Sequence, residues 1–299
     1  MTAVGTPAVG TPLETTANDQ VSAARATWSA FRRNPLGLVS VGILLVLVLV
    51  GAFAPLLVDA PRGYGDQVLQ APSGAHWFGT DNLGRDIFAE VVWGARISIV
   101  VAALSSALAI LIGVLVAVLG AYFPKADAVI GTVVDLCLAL PVLPLMILVA
   151  ALSGPSLTTV VLVIAFFSWP EVTRVVRSQA LSVVRLPYMD AARLTGGSHV
   201  WIIRKHLLPA VAPVVVVSVV LTASRAVLTA ASLAFLGLSD PNSWSWGRIL
   251  YEAEQSGSMS SAWWTTLFPS LAMLALVVSA TLISIAYNDA RNPRTREEQ

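Results

Sequence analysis

Apolar residues along this chain come in long unbroken runs, without the alternation of half-buried strands or the one-sided stripes of surface helices. Spanning the hydrocarbon of a bilayer takes about 20 mostly apolar residues in helical form, because every backbone N–H and C=O must find its partner within the segment. Six runs meet that length: 36–58, 97–122, 129–152, 156–176, 212–236 and 266–287. Polar and helix-breaking residues punctuate them. Pro124, Lys125 and Asp127 close the second run, Ser153-Gly154-Pro155 divides the third from the fourth, and Pro213 falls in a first turn, where no donor is lost. The expected fold is all-α, a polytopic membrane protein with six transmembrane helices. Ala52-Phe53-Ala54 has the small-x-small pattern of a signal-peptide cleavage site. The apolar run before it exceeds an h-region of about 7–15 residues, which favours an uncleaved first helix.

Composition agrees with the pattern. Hydrophobic residues make up 56% of the 299 residues, charged residues 12%, and the net charge is +1. Soluble globular chains carry roughly 25% charge, so this chain cannot clothe a water-facing surface of its size. No global basic field points to nucleic acid. The single cysteine, Cys137, sits in an apolar run and reads as core packing. With the N-terminus inside, 13 of the 18 Lys and Arg fall in inner segments and four in outer ones, which places both termini in the cytoplasm. The expected organisation is a flexible cytoplasmic tail over residues 1–35, a first transmembrane helix and outer loop over 36–96, five further transmembrane helices over 97–290, and a cytoplasmic tail over 291–299. Residues 177–211 form the longest inner loop.

Catalytic patterns are missing. Gly5 and Gly10 have the spacing that opens a phosphate-binding loop, but Thr11-Pro12 stands where Lys-Ser/Thr is required. His76, His199 and His206 are far apart, and neither a His-Glu-x-x-His helix nor a Gly-x-Ser-x-Gly elbow occurs, so no catalytic or metal-ligating residues are assigned. Paired carboxylates within the spans, expected of a proton-coupled carrier, are also missing; Asp135 is read as the one acid well inside a span. The chain reads as a conduit that needs an external motor.

The inner loop is where a motor would act. Pro187 suits a first helical position, Asp190 a first turn where the helix dipole favours an acid, and Gly196 a left-handed exit. The result is a helix of about two turns, too short to be stable alone in water. Ala191 and Ala192 give it a flat side for a partner surface. Beyond it, Trp201, Ile202, Leu207 and Leu208 alternate with Arg204, Lys205 and His206, as in a segment lying on the inner membrane surface. The alternative is an ordinary solvated basic loop.

Asp190-Ala191-Ala192, three further residues, Gly196 and then Leu208-Pro209 resemble the EAA loop of ABC-transporter permeases. Other blocks narrow the likeness: His76 to Phe88, Gly94 to Ser98, Ala231 to Leu238, and Ser245-Trp246-Gly247 are similar to the dipeptide/oligopeptide importer branch, the DppC/OppC type. This resemblance covers residues 36–293 and implies the type I ABC importer permease fold. It further implies a transmembrane subunit of an ATP-driven, binding-protein-dependent importer that moves peptides across a bacterial cytoplasmic (inner) membrane by alternating access. Such a subunit binds no cofactor of its own; ATP and magnesium are used by two ATP-binding subunits or domains. The other implied partners are a second, homologous permease and an extracytoplasmic peptide-binding protein. Asp190, Ala191, Ala192, Arg193 and Gly196 would form the contact with the ATPase, and Leu208-Pro209 would mark the return into the membrane. Asp190 departs from the usual Glu by one methylene, and the Leu-Thr-Gly-Gly run departs from the commoner Ala-Leu-Gly-Ala.

On the outer side, Thr80 or Asp81 is expected to cap a short helix whose Ile87, Val91 and Val92 rest on the membrane. Trp244, Trp246, Trp263 and Trp264 read as an interfacial aromatic belt. The resemblance adds that Trp244, Ser245, Trp246 and Gly247 help form an outer mouth where the binding protein docks. Arg225 lies near the middle of the fifth run, where a lone charge costs several kcal/mol. Two readings stand: it pairs with Asp135 of the third run, or it faces the pathway or the partner permease. A nickel-chelate importer permease is the alternative within the class, and a stand-alone secondary carrier the alternative from another.

Overall fold

The computed structural model describes residues 28–291; the expected tails and their charges beyond these residues lie outside it. The principal helices are α1 (Pro35–Ala52), α2 (Ile87–Tyr122), α3 (Pro124–Ala139), α4 (Val142–Ser153), α5 (Leu157–Val184), α6 (Pro187–Leu194), α7 (Leu208–Phe235), α8 (Trp246–Gln255) and α9 (Trp264–Arg291). No strand occurs among the described residues; Thr80 and Asp86 form an isolated bridge. The fold is all-α, as the runs of apolar residues predict.

Local chemistry sets the helix starts. Asn34 caps α1 by accepting from the Gly37 N–H, Ser156 caps α5 by accepting from Thr159, and prolines open α1, α3 and α6. Among the described residues, five helices are long and apolar enough to cross a membrane: α1, α2, α5, the continuous stretch His199–Phe235, and α9.

The third expected run departs from a straight span. It breaks into α3 and α4, bent by 82°, and the bent pair counts as a sixth crossing only if taken together. Leu140 takes φ −76° and ψ 146° at the break. Pro141 follows it and disfavours α geometry in the residue it succeeds. The fifth run also differs at its start. Helix begins at His199, passes through a π turn at Ile203–Leu207 and continues into α7, so Ile202 and Leu207 are fully buried against the bundle and do not form a surface-lying segment. Pro213 consequently stands inside a helix and not in a first turn, and its missing N–H leaves a gap in the hydrogen-bond ladder.

Two apolar cores follow one another along α2. One gathers Val101, Ala150, Ile164, Val227, Trp246 and Leu276; the other gathers Ala117, Val176, Met189, Ile202, Leu207 and Val211. The first lies at what is here called the Trp246 end, the second at the α6 end. Between α2 and α5, Gly113 permits close approach to Val172, and the Thr173 hydroxyl donates to the Gly113 carbonyl at 3.1 Å. Near the α6 end, Arg177 of α5 binds Asp127 of α3, with Nε to Oδ1 at 2.8 Å. Phe31, in the helical turn 28–33 ahead of α1, packs on Ala286 and Ala290 of α9, and Gly37 of α1 lies close to Ala286, so the start of the chain's first span is seated on the last helix.

Candidate functional site

At the α6 end, α6 forms where the sequence places it. Pro187 opens it, Asp190 sits in its first turn, and Gly196 takes φ +84°, a left-handed conformation that L side chains rarely adopt. Met189 is fully buried and Ala192 nearly so, rooting the helix on α2, α5 and the segment after it. Asp190, Ala191, Arg193 and Leu194 face outward, Leu194 with 88% of its surface exposed. The expected flat alanine pair is therefore split: Ala191 is presented and Ala192 is an anchor. Residues one apart on a helix point about 100° from each other, so two adjacent alanines cannot share one contact face fully.

Asp190 is engaged within α6, accepting from Arg193 Nη1 at 2.7 Å. The Arg193 guanidinium also lies over the Tyr122 ring, 5.5 Å from its centroid. The Tyr122 hydroxyl meets His199 Nδ1 at 3.0 Å. The end of α2 thus grips both α6 and the start of the helix after it. A cavity of about 540 Å³ opens there between Phe123, Arg185, Asp190 and His199. Leu208 and Pro209 open α7, adjoining the π turn.

At the opposite end the motif blocks converge. Trp246 is fully buried, which corrects its reading as part of an interfacial belt. Its indole N–H donates to the Val91 carbonyl at 2.9 Å and its backbone N–H to the Ser98 hydroxyl at 3.3 Å. Gly94 lies under the indole; a Cβ there would meet Trp246 Cδ1 at 2.8 Å. A Cβ on Gly247 would fall 2.5 Å from Ala231 Cα, so α8 and α7 touch backbone to backbone. Ser245 caps α8 by accepting from Arg248. Trp264 is also buried and donates to the Thr80 carbonyl at 3.0 Å. Trp263, 56% exposed, keeps the belt character.

The cap of α2 is Asp86, which accepts from Phe88 at 2.8 Å, and not Thr80 or Asp81. No separate helix forms between Thr80 and the start of α2 at Ile87. Ile87 and Val92 are buried in protein instead of resting on lipid. Asp81 organises the preceding turn, accepting from the Leu83 and Arg85 N–H groups and from Arg85 Nε at 2.6 Å. Arg85 then reaches Glu90 at 3.1 Å and the Glu252 carboxylate of α8. Arg248 completes the set by binding Glu252 at 2.8 Å, and Trp244 lies beneath Arg85, 4.6 Å from ring centroid to guanidinium carbon. Burial alone would lower the Arg85 pKa; Glu90, Asp81 and Glu252 outweigh it and raise it, so this cation is held charged. Oxygens of Asp81, Glu90 and Glu252 lie within 4.8 Å of one another, with the Arg85 guanidinium bound to all three residues. Arg85 and Glu90 are near neighbours in sequence, but the set was not legible because nothing local joins them to Glu252, 167 residues from Arg85.

Arg225 pairs with Glu171 of α5 through Nη1, and not with Asp135. Asp135 is exposed on α3, which packs on α2 and α5 away from α7, so the expected pair cannot form. Glu171 had a signal in the sequence: it falls inside the fourth apolar run, directly after Pro170. Both partners are largely exposed on this chain, Arg225 by 59% and Glu171 by 51%.

Two family models match the chain. One, described as binding-protein-dependent transport system inner membrane component, covers residues 109–297; the other, N-terminal TM domain of oligopeptide transport permease C, covers residues 22–72. The dipeptide transport system permease protein DppC of Alkalihalophilus pseudofirmus is 33% identical across 92% of this chain and 91% of its own length. The glutathione transport system permease protein GsiD of Pectobacterium atrosepticum is 33% identical, with 91% of each chain covered. The probable D,D-dipeptide transport system permease protein DdpC of Escherichia coli is 34% identical across 92% of this chain and 93% of its own. In fold, the chain is similar to a subunit of the MetNI methionine ABC transporter in inward-facing form. The TM-score is 0.55 at 19% identity, with 70% of this chain and 96% of that one covered.

Proposed function

The chain belongs to the family of binding-protein-dependent transport system inner membrane components, and we propose that it is the permease subunit of an ATP-driven importer of di- and oligopeptides. The observation that carries this reading is the presentation of α6. It is a two-turn helix rooted through Met189 and Ala192 in the core shared by α2, α5 and α7, and it turns Asp190, Ala191, Arg193 and Leu194 outward. A helix too short to stand alone, fixed to the spans on one side and bare on the other, is built to transmit a push.

In this reading a cytoplasmic ATP-binding subunit seats α6 in a groove, with Ala191 allowing close approach and Leu194 burying apolar surface. ATP binding draws two such subunits together and carries α6 with them. The Tyr122, Arg193 and His199 contacts pass the movement to α2 and to the helix continuing into α7. A second permease completes the pathway, and an extracytoplasmic binding protein delivers peptide at the Trp246 end, near Trp244, Ser245 and Gly247. The distribution of Lys and Arg supports placing α6 and both termini in the cytoplasm. The relatives carry peptide and glutathione names, which favours the peptide reading over the nickel one.

The test is uptake by proteoliposomes holding this chain, the second permease, the ATPase subunits and the binding protein. Accumulation of labelled dipeptide should require both ATP and the binding protein. Uptake that persists without the ATPase and collapses with an ion gradient would instead make the chain a secondary carrier.

A further inference from the structure

Glu171 and Arg225 stand near the middles of α5 and α7, and their side chains are about half exposed on this chain. Facing hydrocarbon, two such ions would cost several kcal/mol, so this face is turned toward water or protein. A cavity of about 170 Å³ opens at the pair and runs toward the α6 end, with Ser218, Thr222, Asn288 and Arg291 also on its wall. Among the described residues no other ion pair joins the middles of two long helices.

We propose that Arg225 and Glu171 form a subsite for zwitterionic short peptides, Arg225 taking the α-carboxylate and Glu171 the α-ammonium group. This rests on the importer reading above and assigns the chemistry that the pathway recognises. With no peptide present, each side chain neutralises the other, so no unpaired charge stays in the span between cycles. A half-exposed pair is worth only about 0–1 kcal/mol, so exchanging partners costs little. The guanidinium fork matches a carboxylate in two parallel hydrogen bonds. An extended dipeptide separates its termini by about 7 Å, a gap that two long side chains span by swinging apart. Ser218, Thr222 and Asn288 supply hydroxyl and amide groups for the peptide bond between the termini.

The experiment is equilibrium binding of labelled dialanine to the assembled transporter without its binding protein, with dialanine amide and N-acetyl-dialanine as competitors. Losing one charge-assisted hydrogen bond set corresponds to about tenfold or more in affinity, so each blocked peptide should compete at least that much less well than dialanine. Arg225→Gln should erase the preference against the amide while keeping the preference against the acetylated peptide; Glu171→Gln should do the reverse. Arg225→Lys keeps charge without the fork and should retain a weakened preference against the amide. Variants that keep both preferences overturn the subsite. So does a wild-type complex that binds no dialanine yet imports it once the binding protein is added. A wild-type complex that imports no peptide with all partners present overturns the importer reading itself, and is distinguished from the other failures by that uptake control.

Discussion

Arg85 and Glu252, 167 residues apart in sequence, are joined through Arg85 Nη2 and the Glu252 carboxylate. This contact ties the loop before α2 to α8, and with Asp81, Glu90 and Arg248 it makes a nearly buried ionic knot. Arg85→Ala leaves Asp81 and Glu90 in place without their cation. Breaking a buried pair from one side costs about 3–5 kcal/mol, so the variant should unfold at clearly lower temperature in a detergent melting assay. Arg85→Lys should recover only part of the loss, because an ammonium cannot reproduce a guanidinium bound to three carboxylates. Wild-type melting by Arg85→Ala would show that the knot contributes nothing.

The seat of Trp246 is equally exacting. Gly247→Ala places a methyl 2.5 Å from Ala231 Cα, and because the obstacle is backbone, relief requires α8 to move. Overpacking of this kind costs about 1–3 kcal/mol. Trp246→Ala empties the site and should cost about 3–5 kcal/mol. Thermal melting of both variants is the check, and equal melting of Gly247→Ala and wild type would refute the close approach.

Ala191 is the position where bulk should separate coupling from folding. Its side chain is exposed on α6, and its bonds to Thr195 are made by the backbone carbonyl, which a substitution keeps. Ala191→Trp should leave the melting temperature within a degree or two while peptide uptake in proteoliposomes falls at least about tenfold, the effect of losing roughly 1.4 kcal/mol of docking energy. Unchanged uptake would remove α6 from the contact with the ATPase.

The Arg177–Asp127 pair makes a milder prediction. Its side chains are 23% and 34% exposed, and solvent screens them. Arg177→Ala should cost about 0.2–1 kcal/mol, far less than the Arg85 variant, when both are melted side by side.

How much of this was legible follows from the range of each interaction. Long apolar runs announce helices, and Pro187 and Gly196 announce where α6 starts and stops, because helix formation and capping are local. Pro141 was equally visible, yet the run around it read as one span because hydropathy does not register direction. Glu171 was hidden by the same averaging, one acid within an apolar window. Asp135 was one of two readings for Arg225, and only tertiary packing shows that α3 lies against α2 and α5 and not against α7. The motif block set Trp246 apart from Trp263, but its burial was not legible, since that depends on Gly94, Ser98 and Val91 arriving from elsewhere in the chain.

That arrival has an order. Ribosomal synthesis and membrane insertion release Arg85, Glu90 and the bare Gly94 surface long before Trp246 and Glu252 exist. Until the last loop emerges, the Val91 carbonyl and Ser98 hydroxyl await the indole and backbone donors of Trp246, and Arg85 lacks its third carboxylate. The Trp246 end therefore closes only after α8 has been made, and its closure reports that synthesis has passed Glu252. A product cut short before α8 would display an open groove and an incomplete ionic knot, the kind of surface on which a membrane protease or chaperone can tell an unfinished subunit from a finished one.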